Sequence, residues 1–344
     1  MTQSNTFPEP DTGTTPAFGP PGPQNSQPDT AEHDPVAARF LAAFPATRVA
    51  WRTVHFHEAG FSDRAIGRLV AAGALMRIHY GTYVRRSHWD LLSVEAQERT
   101  FIVLHDFGTR GRTAAGFIYS HASAARLHRL KLWRADKLLH ITQTTKPSST
   151  GCNARTRIHT APLAPCDVTA IAALRVTTLE RTVVDCCLTM SYKQGLIVAD
   201  DALRRGASLP LLQHMAAGLP RHRGVRNLRK VLAHADGRSE SPGETLTRDL
   251  LRELGIEPPL LQHWIDTRRG RYRVDFAWPR KRVVLEFDGR VKYFDYGPTD
   301  EAVFLERKRE RALMEAGWKV LRIEWKDLFN EGAFRARVLA ALGS

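Results

Sequence analysis

Long apolar runs are missing from this chain: none approaches the roughly 18 residues that a membrane-spanning helix needs, so no membrane partner is expected. Cysteine is scarce. Cys152, Cys166, Cys186 and Cys187 form no CxxC pair, and two of them are adjacent in an apolar segment. That pattern speaks against a disulfide scaffold or a cysteine zinc site and predicts reduced thiols in a cytoplasmic protein. No basic-then-apolar leader is present, so no secretory signal is expected. Lys and Arg are absent before Arg39, while Glu9, Asp11, Asp29, Glu32 and Asp34 all precede it. The 344-residue chain nonetheless carries +14, so the part from Arg39 onward carries +19. A body this basic predicts a polyanion partner, nucleic acid before membrane. A general arginine bias is the simpler alternative.

What is present divides the chain into four stretches. Residues 1–36 are rich in Pro, Gly, Ser and Thr and include "GPPGP"; they bury too little apolar surface to offset ordering entropy and are expected to be disordered. Residues 37–90 read as two short helices that turn at Gly60, then a two-stranded ribbon turning near Tyr80-Gly81. Ser62 is a plausible N-cap, with Ile66, Leu69 and Val70 on one helical face. This is the order of a winged helix-turn-helix. Arg64 and Arg68 fall on the polar side of the second helix, where DNA contacts would lie, and Arg77, Arg85 and Arg86 would decorate the wing. Solvated arginines on a small helical unit are the alternative.

Residues 91–237 read as a mixed α/β region, with helices near 120–130, 178–188, 194–206 and 221–236 and short strands near 138–142 and 157–161. His121 and His128 could share a helix face, a spacing more often structural than metal-binding. Asp185, Asp200 and Asp201 have no evident partner pattern. Residues 238–344 read as helix, three strands, helix, strand, helix. The expectation for the whole is an α+β multidomain protein.

The last unit sets Asp275, Glu286 and Asp288 among apolar neighbours. "RYRVDFAW" and "VVLEFD" alternate with a period of two, which makes both strands. "PRKR" is a natural hairpin loop between them. If Trp278 pairs with Val283, Asp275 faces Glu286, with Cβ atoms about 4.5–5.5 Å apart. Like charges so placed destabilise a sheet. One acid could stay protonated, basic side chains could neutralise the pair, or a divalent cation could bridge it. Oxygen ligands suit Mg²⁺ or Mn²⁺, and such an ion can activate water toward a phosphodiester. Lys292 is the nearest candidate ammonium in sequence, with Arg307 and Lys308 as others. Solvated carboxylates among arginines are the alternative.

The helix–three strands–helix–strand order, with Asp275 on the second strand and E-x-D-G closing the third, resembles the PD-(D/E)XK nuclease superfamily, in particular its small Vsr-like endonuclease group. The resemblance covers roughly the last hundred residues. It implies a restriction-endonuclease-like αβββαβ core and metal-dependent DNA cleavage, with Asp275 and Glu286 as the acidic pair and Asp288 beside them at the metal. Glu244 matches a first-helix carboxylate that reaches the metal in some members; "SPGE" is equally a capping box. Asp288 stands where the superfamily has lysine, and Lys292 where the Vsr-like group often has histidine. A migrated ammonium or a fold retained for binding alone would each fit these departures. The winged helix, "SHASAARLH" and "TLERTVVD" resemble AbiE-type antitoxins of type IV toxin–antitoxin systems. That resemblance spans perhaps 45–205 and implies a DNA-binding repressor with a cognate toxin as partner.

Overall fold

The computed structural model describes residues 35–44, 48–109, 117–145, 155–289 and 300–343, with no account of the side chains of 300–303. The expected disordered tail therefore lies outside the described residues, except Pro35 and Val36, which open the first helix.

That helix, α1 (Pro35–Ala43), is followed by β1 (Ala50–Arg52), α2 (Thr53–Glu58), α3 (Asp63–Ala71), β2 (Leu75–His79), β3 (Thr82–Arg85) and α4 (Arg86–Asp90). Ser62 caps α3 by accepting the Ala65 amide at 3.3 Å, and Ile66 and Leu69 are its buried face. The β2–β3 turn is made at Gly81, whose φ of +67° strains any L side chain. β1 inserts beside β3, so the ribbon is a three-stranded sheet ordered β1-β3-β2. Its three residues are too few to show alternation, but Trp51 is wholly buried and joins Phe40, Phe44, Phe56 and Phe61 in an aromatic core.

The middle of the chain supplies α5 (Val94–Thr109), β4 (Ile118–Tyr119), α6 (His121–Leu127), β5 (Leu139–Gln143), β6 (Thr156–Thr160), β7 (Val168–Ile171) and β8 (Leu174–Thr177). Four helices follow: α7 (Leu179–Thr189), α8 (Tyr192–Arg204), α9 (Leu209–Ala217) and α10 (Val225–His234). The strands form one sheet ordered β6-β5-β4-β8-β7. Cys186 and Cys187 lie in the core of the four helices. Burial pushes both thiols up, Cys187 to about 12, so they are inert hydrophobes rather than ligands.

The last unit is α11 (Pro242–Glu253), β9 (Leu260–Thr267), β10 (Gly270–Trp278), β11 (Val283–Phe287), α12 (Asp300–Glu315), β12 (Lys319–Ile323) and α13 (Glu331–Leu342). Its sheet runs β12-β11-β10-β9. β9, β10 and β11 form an antiparallel meander, and α12 carries the chain over to β12, which is parallel to β11. The start of α11 lies directly on β11: a Cβ at Gly243 would stand 1.9 Å from the Phe287 ring. Gly243 is thus a close-approach glycine.

The chain is an α+β protein of several packed units. The boundary expected at 237 is not a gap. Ile197 of α8 belongs to the core of the last unit, Arg248 of α11 binds the buried Asp200 at 2.6 Å, and Trp133 stacks on Trp325. Among the described residues no helix is long and apolar enough to cross a membrane.

Candidate active site

The β10–β11 ladder pairs Trp278 with Val283, Ala277 with Val284 and Phe276 with Leu285. The next step of that register sets Asp275 opposite Glu286, as the hairpin arithmetic expects. There the backbone ladder gives way to a side chain: Asp275 Oδ2 accepts the Phe287 amide at 3.0 Å. On the other side, the β9–β10 ladder skips the position where Asp275 would meet Gln262. Gln262 has a φ of +51°, a left-handed conformation that costs a non-glycine residue roughly 1–3 kcal/mol. Its side chain bonds Asp275 and donates to Glu244 Oε2 at 2.9 Å.

Glu244 arrives from α11 and is buried. Ser241 Oγ accepts the Glu244 amide at 3.1 Å, one half of the expected capping box. The Glu244 carboxylate does not close the other half; it takes the Glu240 amide at 2.8 Å and the Gln262 amide. The three acids thus come from α11, β10 and β11 to one side of the sheet, with Asp275 between Glu244 and Glu286, though their carboxylate oxygens do not all lie within 4.8 Å of one another. Burial is the first cause that pushes each carboxyl up; the next for Glu244 is the Asp275 charge. For Asp275, the Phe287 amide, Arg309 and Gln262 oppose the rise. For Glu286, Arg309 opposes it while Asp275 and Glu306 add to it.

Arg309 of α12 is the cation that sequence reasoning missed. Its Nη2 binds Glu286 Oε1 and donates to the Arg273 carbonyl at 2.8 Å, while Nη1 reaches Glu286 Oε2 and Glu306 Oε1, both at 3.3 Å. Of the three expected responses to paired acids, basic neutralisation is the one these side chains display. The expected Arg307 and Lys308 are exposed instead, and Lys292 lies outside the described residues. Asp288 turns toward β12: its amide bonds the Ile323 carbonyl and its carboxylate stands 3.8 Å from Arg322. Arg322 also binds Glu306 and Glu310 at 2.5 and 3.0 Å, extending a charge lattice between α12 and the sheet. A signal for Arg309 existed: it is three and four residues before the buried Ala312 and Leu313, on the sheet-facing side of α12.

All donors at this site are oxygens, the set that Mg²⁺ or Mn²⁺ prefers. Mg²⁺ commonly takes only one or two carboxylates, the rest of its shell being water and substrate phosphate. The Asp275–Glu286 pair fits that demand if Arg309 yields one Glu286 oxygen.

On the N-terminal unit, Arg64, Arg68 and Arg77 are all exposed, with Arg77 over the Tyr80 ring at 5.0 Å. Arg85 turns inward: it donates to the Phe44 carbonyl at 2.5 Å and lies over Phe40. Arg86 pairs with Asp90 at 3.0 Å. His128 is not bonded to His121; its Nε2 donates to the Thr177 carbonyl at 2.8 Å, a structural role.

No family profile matches the chain. Two uncharacterized proteins of Mycobacterium tuberculosis, MT2308 and Rv2248, are each 26% identical to it over 272 residues, covering 78% of this chain and 93% of theirs. A crystal structure of the Rv2827c protein from Mycobacterium tuberculosis aligns with a TM-score of 0.38 and 17% identity, over 67% of this chain and 88% of that one.

Proposed function

We propose that the chain is a cytoplasmic DNA-acting protein: a winged helix-turn-helix at 37–90 that grips the duplex, and a restriction-endonuclease-like αβββαβ unit that cleaves a phosphodiester with Mg²⁺ or Mn²⁺. The observation that carries this reading is the convergence of Glu244, Asp275 and Glu286 from three elements at a locus where both neighbouring ladders break. A strained Gln262 and carboxylates that repel one another are both costly to a sheet.

In this reading Asp275 and Glu286 hold the ion through carboxylate oxygens. When bound, the ion polarises the scissile phosphate and acidifies a water. Gln262 fixes the orientation of Asp275 and ties it to Glu244. Arg309, released in part from Glu286, stands next to the developing phosphorane charge. Arg64, Arg68 and Arg77 supply phosphate contacts. Purified protein should nick supercoiled plasmid with Mg²⁺ or Mn²⁺, and Asp275→Asn or Glu286→Gln should each abolish it. Nicking that persists undiminished in both variants would refute the site.

The seating of Arg309 on Glu286 favours a second reading, an antitoxin-like repressor whose nuclease unit no longer cleaves and which has a cognate toxin as partner. It expects binding without nicking to a fragment from upstream of its own gene. Arg68→Ala should then weaken binding and lower the salt slope by about 1, while Asp275→Asn leaves both unchanged.

A further inference from the structure

A second cluster of ionisable side chains lies in the middle unit, built by β5, β6 and the start of α6. His140 and His159 sit on adjacent parallel strands, and His121 is the first residue of α6. Among the described residues these three form the one trio of His, Cys, Asp or Glu whose donor atoms all lie within 4.8 Å of one another. Two of the rings are buried and the third, His159, is half-buried.

The orienting carboxylate of Asp136 decides which nitrogen His140 presents. Asp136 Oδ1 lies 2.9 Å from His140 Nε2 and holds the proton there, leaving the lone pair on Nδ1. That Nδ1 is 3.0 Å from His159 Nε2. His121 Nδ1 is 2.9 Å from Ser120 Oγ, itself held by Thr142 at 2.7 Å; with Nδ1 as the donor in that contact, Nε2 carries the lone pair. His121 also occupies a left-handed φ of +49°, uncommon for a residue other than glycine. Burial first, and the neighbouring histidines next, push His121 down to about 2; burial and His140 push His159 to about 4.

We propose that His121, His140 and His159 form a binding site for one Zn²⁺-class ion, with Asp136 as the outer carboxylate that orients His140. Zn–N bonds of about 2.0–2.1 Å set two tetrahedral ligands about 3.3 Å apart, close to the His140–His159 separation. That contact is a hydrogen bond between the two rings. His121 stacks on His159 at 3.5 Å and 11°, so its ring slides off that stack to complete the shell. Three imidazoles exclude a Mg²⁺ preference and select borderline ions. Three protein ligands leave a fourth position for water or an anion. Asp136 also lines a cleft of about 460 Å³ that carries Lys137 and Arg155 together with Arg126, the last paired with Glu98 at 2.8 Å.

The site is independent of the acidic cluster, and one experiment separates them. The full chain is titrated with Zn²⁺ by calorimetry and with Co²⁺ by visible absorption. With excess Mg²⁺ present to occupy the acidic site, wild type and Glu286→Gln should each take up one equivalent at the histidine site and show the intense bands of tetrahedral, nitrogen-bound Co²⁺. His140→Ala and the milder His159→Gln should lose them. Zn²⁺ should raise the melting temperature of wild type but leave that of folded His159→Gln unchanged. Absence of Zn²⁺ uptake by wild type, or equal uptake by wild type and His159→Gln, would overturn the proposal.

Discussion

Replacing Gly243 by alanine tests how tightly the first helix of the last unit is seated on its sheet. The added methyl would stand 1.9, 2.2 and 2.2 Å from three carbons of the Phe287 ring, where carbon contacts are comfortable at about 3.5–4.0 Å. Roughly 1.5 Å of separation has to be found. The ring cannot yield freely, because its edge-on contact with Trp325, at 5.1 Å and 84°, holds it. Overpacking of this kind costs about 1–3 kcal/mol, and loss of the aromatic pair adds about 0.5–1.5. Alanine's better helix propensity returns at most about 1 kcal/mol. The net expectation is a loss of about 2 kcal/mol. Gly67 in α3 is the control, since nothing lies within 4 Å of a Cβ there; Gly67→Ala should stabilise by up to about 1 kcal/mol. Urea unfolding followed by tryptophan fluorescence reads both. A Gly243→Ala protein as stable as wild type would refute the close-approach argument.

Arg309→Ala leaves Glu286 buried without its main counter-charge and should cost about 2 kcal/mol. Because the folded-state pKa of Glu286 is already raised, and rises further without Arg309, its stability contribution is kept at low pH and lost as pH rises through the raised value. The deficit measured by urea midpoints should therefore be larger at about pH 8 than at about pH 5. His105 shows the opposite sign: burial, then the charge of His79, lower it to about 4. Its contribution is present above 6.5 and lost as pH falls toward about 4, and His105→Gln, which keeps a partner for Tyr119, should flatten the acid limb of the stability profile.

The last unit was largely legible in the sequence because its strands alternate cleanly and its loops are short. Ser241, Pro242 and Gly255 bound α11, and the hairpin sum placed Asp275 against Glu286. Arg309 was harder to foresee, since "ERKRER" offers four cations and only the packing of Ala312 and Leu313 decides which one turns inward. The middle sheet was poorly legible. β4 has two residues and pairs with the distant β8, Tyr119 against Val176, while β7 and β8, four residues each, form a short hairpin. The histidine trio illustrates the limit: His121 was visible, but spacing suggested His128 as its companion. The true neighbours come from two strands whose parallel register no local pattern announces.

The lodging of Ile197 among the side chains of the last unit, with Asp200 locked to Arg248, bears on how the molecule comes apart. A chain cut before residue 238 would leave Asp200 with a buried charge and no guanidinium, and a fragment starting there would open its core where Ile197 had been. Neither half is then a natural folding unit by itself. The four-helix layer and the carboxylate-bearing sheet should melt together in a single transition, so that damage to one is felt as instability in the other.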